Sequence, residues 1–103
     1  MLFSFKVSAE LEISAPAKVI RIVGYSERNN GDVVVEMDKN SSFCSAGYWL
    51  RRTDPGFDTN LSLLLSAYHA KNNVILRGEK TIIWKGSAKV FCYLDSVEFN
   101  DVK

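Results

Sequence analysis

Apolar and polar residues alternate without a break from Phe3 to Ile13, with Phe3, Phe5, Val7, Ala9, Leu11 and Ile13 set against Ser4, Lys6, Ser8, Glu10 and Glu12. A period of two is that of a strand with one buried face, which leaves Glu10 and Glu12 on the outward side. Ser14 and Pro16 end the run, because proline cannot donate to a ladder. Two strand-like runs follow, Lys18 to Glu27 and Asp32 to Asp38, on either side of the turn RNNGD. Asn30 and Gly31 both tolerate the positive φ angles that a tight hairpin requires. Beyond the polar DKNSS comes a short aromatic run, Phe43 to Arg52, stopped by TDPGFD.

There the rhythm changes. Phe57, Leu61, Leu64, Leu65 and Tyr68 recur at i, i+4, i+7, i+8 and i+11, the stripe of an amphipathic helix predicted over residues 57–71. Pro55 fixes φ just before it, Asp54 offers its carboxylate to free amides in the turn, and Asp58 or Thr59 can cap the first turn. Asn72 and Asn73 end it, since asparagine accepts the left-handed conformation common at helix termini. Period two then returns in Val74 to Trp84 and Ala88 to Phe99, joined by KGS. In the last run Val90, Cys92 and Leu94 share a face, and Val97 and Phe99 fall one step out of phase. A bulge at Asp95-Ser96 restores the register. Phe91 and Tyr93 make the opposite face apolar as well, so both sides of that strand need cover, from a packed helix or from another subunit.

The predicted order is β-β-β-β-α-β-β, a mainly β chain with one helix (α+β) forming a single domain over residues 1–103. Without the first strand, the order is that of a five-stranded OB-like antiparallel β-barrel, with the leucine stripe plugging its open end.

Composition narrows the functional classes. Thirteen basic and twelve acidic residues leave a formal charge of +1, so no global field draws in nucleic acid or an anionic membrane. Phosphate binding would need a local patch, and the mild excess of Lys71, Arg77, Lys80, Lys85 and Lys89 over Glu79 reads better as lysines guarding a sheet edge. No apolar run approaches the ~18 residues of a membrane span. Lys6, Glu10 and Glu12 interrupt any apolar core of a signal peptide near the start, so the sequence as given reads as cytoplasmic, or as secreted or periplasmic if a leader has been removed. Cys44 and Cys92 fit either buried thiols or a disulfide, which would stabilise by about 4 kcal/mol through the loop it closes.

Catalytic chemistry finds little footing. His69 is the single histidine, a metal site would lack any recognisable ligand spacing, and the glycines are scattered with no phosphate-cradling loop. His69 activating Cys44 or Cys92 is formally an enzyme, but the pattern favours a surface imidazole and buried sulfurs. No cofactor motif is present. Asn40-Ser41-Ser42 fits the N-glycosylation acceptor pattern and reads as a polar loop.

The stronger candidate is the run Tyr48-Trp49-Leu50-Arg51-Arg52, together with Trp84 and Lys85. Neighbours in a strand face opposite ways, so one of Tyr48 and Trp49 enters the core and the other is presented outward beside arginine, able to stack on a sugar ring or a base.

The segment from Cys44 to Phe99 resembles the carrier (B) subunits of bacterial AB-type toxins, subtilase-type and pertussis-type, and small exported bacterial proteins similar to them. The features that carry the likeness are CSAGYWL, the helix FDTNLSLLLSAYHAKN, the immediate strand NVILRG, Trp84 and the closing VFCYLDSVEF. It is a likeness of layout and residue class, and no sugar-binding motif specific to that family is present. The resemblance implies a non-catalytic OB barrel, often a ring of five, that binds glycans. The expectation is therefore a binding or assembly module that forms a homo-oligomer and contacts glycan or protein through Tyr48, Trp49, Arg51, Arg52, Trp84 and Lys85. The alternative is a single-stranded nucleic-acid binder using Arg51, Arg52, Lys80, Lys85 and Lys89 with Tyr48 and Trp84, which the balanced charge disfavours.

Overall fold

A computed structural model describes residues 10–100. The elements are β1 (Leu11–Ile13), β2 (Val19–Gly24), a 3-10 turn at Arg28–Gly31, β3 (Val33–Met37), β4 (Gly47–Leu50), α1 (Phe57–Ala70), β5 (Ile75–Ile83) and β6 (Phe91–Glu98). The chain is mainly β with one helix, in the expected order. Its six strands form one sheet in the order β1-β5-β6-β4-β3-β2. All ladders are antiparallel except β4 with β6, which runs parallel with Tyr48 opposite Cys92. The expected closed barrel does not form by strand pairing: among the described residues no ladder joins the end strands β1 and β2. They are consecutive in the chain, and Ala17 between them exchanges two backbone hydrogen bonds with Val74, at 3.0 and 2.8 Å, just before β5.

Local chemistry explains most boundaries. Asn29, Asn30 and Gly31 take φ values of 51°, 62° and 77°, so the left-handed run starts one residue earlier than the Asn-Gly pair suggested, and Tyr25 N–H donating to the Asp32 carbonyl closes the loop at 3.1 Å. The register between β5 and β6 steps from Arg77–Ser96 to Gly78–Leu94, which leaves Asp95 as the extra residue of a bulge, where the phase change required one.

The helix begins at Phe57 behind Gly56 with no side-chain cap, so neither Asp58 nor Thr59 caps it. The turn is closed instead by Phe57 N–H donating to the Asp54 carbonyl, while the Asp54 carboxylate faces the sheet. The left-handed residue at the helix end is Lys71 rather than an asparagine.

Strict alternation along β3, β4 and β6 gives the sheet two buried faces. On the helix side Val33, Val35, Met37, Tyr48, Leu50, Cys92 and Leu94 pack with Leu64 and Ala67, and Phe57 and Leu61 flank them. Leu65 and Tyr68 stay 40% and 43% exposed, so the helix's contact line ends on Ala67 instead of the expected tyrosine. On the other side Val34, Trp49, Trp84 and Phe91 form a smaller aromatic cluster. The cover required over Phe91 and Tyr93 thus comes from within the chain.

In β1 the expected orientation is reversed. Leu11 and Ile13 are exposed and Ser14 is buried, and Glu12 accepts hydrogen bonds from the Ser41 hydroxyl at 2.6 Å and Cys44 N–H at 3.3 Å. The polar side of this short edge strand faces the loop it pins, which outweighs the apolar alternation. The Ser41 hydroxyl, ahead of the Cys44 amide, draws the Glu12 carboxyl below its ordinary range despite partial burial. The remainder of the Phe3–Ile13 strand lies outside the described residues.

Candidate functional site

Cys44 and Cys92 are joined by a disulfide with Cα atoms 5.4 Å apart, both side chains fully buried. It ties the loop after β3 to the first residues of β6, directly beside the parallel β4–β6 pair. The loop closed by the bond accounts for about 4 kcal/mol in the chain-entropy picture. Both sulfurs being bonded, a thiol for Cys–His chemistry is missing, and His69 sits on the exposed end of the helix with its ring edge-on to Tyr68 at 5.5 Å.

The predicted aromatic pair divides differently from expectation. Tyr48 is completely buried on the helix side, where burial raises its phenol above the ordinary range, so it cannot meet a ligand. Trp49 points to the opposite face but is also buried, at 7% exposure, and Trp84 at 6%. Neither indole is an open stacking platform. The Trp49 face lies under the Arg51 guanidinium at 5.4 Å, and Trp84 packs against Tyr25 at 5.7 Å and edge-on against Phe91 at 5.6 Å. An outward-facing position in a strand fixes direction only, and the cover comes both from near neighbours such as Arg51 and from distant segments such as Tyr25.

The same cover builds a cleft. The 3-10 turn, the end of β4 with Arg51 to Thr53, and the stretch Ile82 to Lys85 border an open hollow of about 910 Å³. Its floor is the pair of tryptophans. Its walls carry three cations, Arg51, Arg52 and Lys85, with Asp32, Glu27, Asn29 and Asn30. Five of the six residues singled out in the sequence therefore meet at one site, and Tyr48 alone is excluded.

Two indole hydrogen bonds lock the floor. Trp84 Nε1–H donates to Asp32 Oδ2 at 3.1 Å, and Trp49 Nε1–H donates to the Ile82 carbonyl at 3.1 Å. Gly86 lies so near the Trp84 ring that a Cβ there would stand 2.3 Å from its Cζ2 and 2.5 Å from Asn29 Nδ2, so the turn after β5 can fold onto the cleft only with glycine. Asp32 is nearly buried. Its desolvation raises the carboxyl above the usual range, and the Trp84 N–H and the Arg51 charge pull the other way.

Behind the cleft lies a second group that the sequence did not single out. Arg51 also lies over the Tyr93 ring at 5.1 Å, with Nη1 3.8 Å from Asp54 Oδ1, and the Tyr93 hydroxyl donates to Asp54 Oδ2. Burial and then the Asp54 acceptor push the Tyr93 phenol up to about 12. The sequence held one signal for this pairing: Tyr93 sits on the face of β6 opposite Cys92, the face shared with Trp49. Nothing in the spacing linked Asp54 to it, 39 positions away.

Lys80 and Lys89, invoked for nucleic-acid binding, lie elsewhere: Lys80 over the Phe43 ring at 5.6 Å, and Lys89 beside a separate hollow with Glu36 and Asn40. No helix among the described residues is long and apolar enough to cross a membrane. No protein-family model matches the chain, and no curated protein matches its sequence.

Proposed function

We propose that the protein is a non-catalytic binding module that receives a glycan in the cleft over Trp49 and Trp84, with Arg51, Arg52, Lys85, Asn29, Asn30 and Asp32 supplying hydrogen bonds. One observation carries the reading: a concave space of about 910 Å³, within the range of small-ligand sites, where charged donors and amide side chains converge over a locked aromatic floor. Apolar ring edges below and planar polar groups around them suit a ligand with hydroxyls on its rim and C–H faces between.

The OB-like reading of the fold belongs to the same proposal. The parallel β4–β6 pair and the Ala17–Val74 bridge, which holds the β1–β2 junction against β5, support a curled sheet of that kind. A likeness to toxin carrier subunits, and assembly into a homo-oligomer, are consistent with the exposed Ile20, Leu65 and Tyr68 near the helix. The test is a panel of immobilised neutral and acidic oligosaccharides probed with the labelled protein, wild type against Arg52→Ala and Lys85→Ala. Both positions are exposed, so neither substitution removes a core contact. Retention of one saccharide class that falls about 10-fold or more in either variant supports the cleft. Binding to no saccharide, or binding indifferent to both substitutions, overturns it.

A further inference from the structure

Arg51 and Arg52 are neighbours in sequence and both line the cleft, yet their surroundings differ. Among the described residues Arg52 has neither an ion pair nor an aromatic ring to lie on. Arg51 has a frame on three sides. Its guanidinium carbon is 5.4 Å from the Trp49 ring centre and 5.1 Å from that of Tyr93, and its Nη1 is 3.8 Å from Asp54 Oδ1. The frame is itself braced. Trp49 and Tyr93 pack edge to face at 5.2 Å, Trp49 is fastened to the Ile82 carbonyl, and the Tyr93 hydroxyl fastens Asp54. At 3.8 Å the Asp54–Arg51 contact is an ion pair without a hydrogen bond, so the guanidinium's N–H groups are not consumed by it.

We propose that Tyr93 and Asp54 are positioning residues that hold the Arg51 guanidinium as a preset, planar donor for an oxyanion group of whatever ligand enters the cleft. An unframed arginine would lose most of its rotamer freedom when it bound such a group, and a framed one has lost it beforehand. Tyr93, with a phenol pushed up to about 12, stays a donor across the neutral range. This rests on the reading of the cleft as a binding site, but its test is separate.

The probe is inorganic sulfate, titrated at fixed ionic strength and followed through the Arg51 Nε–Hε resonance by NMR in the full-length protein. In the wild type that resonance is displaced from those of exposed arginines such as Arg28 by the two rings, and it moves further as sulfate binds. Charge alone predicts that Asp54→Asn, by removing a carboxylate beside the guanidinium, tightens sulfate binding. Positioning predicts the opposite sign: about 3- to 10-fold weaker binding in Asp54→Asn, and the same in Tyr93→Phe, which keeps the ring and loses only the hydroxyl. Both variants should also bring the Arg51 resonance toward the exposed position before any sulfate is added. Unchanged or tighter sulfate binding in the two variants overturns the proposal, and so does a wild-type Arg51 resonance that sulfate does not move. If saccharides still bind in either case, the cleft reading survives the loss of this one.

Discussion

Gly78 shows how a single hydrogen atom in place of a side chain decides the core. It sits in β5 opposite Leu94, with φ in the ordinary range, so its role is space and not backbone freedom. A Cβ there would lie 2.7 Å from Tyr48 Cε1, 3.0 Å from Cys92 Cβ and 3.1 Å from Cys44 Sγ. None of these three can step aside cheaply, because Tyr48 is fully enclosed and the two cysteines are bonded to each other. The buried tyrosine, the disulfide and the glycine are thus one packing unit. Gly24, at the end of β2, has nothing within 4 Å of its would-be Cβ. Gly78→Ala should therefore cost about 1–3 kcal/mol in urea denaturation, the usual penalty of overpacking. Gly24→Ala should stay within about 0.5 kcal/mol of wild type. Equal effects at the two positions would show that the core around the disulfide has slack.

At the level of elements, hydrophobic rhythm located the helix, the succession of strands along the chain and the bulge at Asp95, and residue type located the turn at Asn30-Gly31 to within one residue, because each is fixed by neighbours a few residues apart. What covers a face is fixed by residues far away, and there the rhythm misleads. It placed Leu65 and Tyr68 inward on the helix and Leu11 and Ile13 inward on β1, and all four are exposed. It left one of Tyr48 and Trp49 outside, yet with Tyr48 buried under the helix, Trp84 and Arg51 close over the second face and bury Trp49 as well. Five of the six candidate residues still gather at the cleft, since β4 and β5 flank β6 and the Trp49 indole reaches the Ile82 carbonyl at the end of β5. Asp54 was read only as a turn residue and Tyr93 only as an apolar face, because their pairing crosses from the turn before the helix to the last strand.

The helix gives a direct measure of the difference between rhythm and cover. Leu64 is wholly enclosed between α1 and the sheet, so Leu64→Ala should lose about 2–5 kcal/mol. Leu65→Ala, one residue on and 40% exposed, should lose far less in the same denaturation experiment. Comparable losses would mean that Leu65 is covered in solution, which is what an oligomer built on this face would produce.

For the whole molecule, charge separates the two readings of the cleft. The net charge of +1 supplies no long-range attraction for a polyanion, and the cations proposed for nucleic acid are spread over three parts of the surface. Only Arg51, Arg52 and Lys85 share the cleft, with Asp32 and Glu27 set against them. These three cations could neutralise at most about three phosphates of a single strand lying there. Counterion release then gives a slope of log K against log salt near −2, a loss on the order of 15-fold between 50 and 200 mM salt. A neutral saccharide held by hydrogen bonds displaces no condensed ions, and its affinity should be nearly flat over the same range. Fluorescence anisotropy of a labelled oligothymidylate and of a labelled oligosaccharide, each read at both salt concentrations, makes the comparison. Oligothymidylate binding that is tighter than saccharide binding at 200 mM, with a slope of −2 or steeper, would move the assignment to single-stranded nucleic acid. A detectable saccharide complex with a flat salt response, beside an oligothymidylate signal lost by 200 mM, would hold the cleft to glycan.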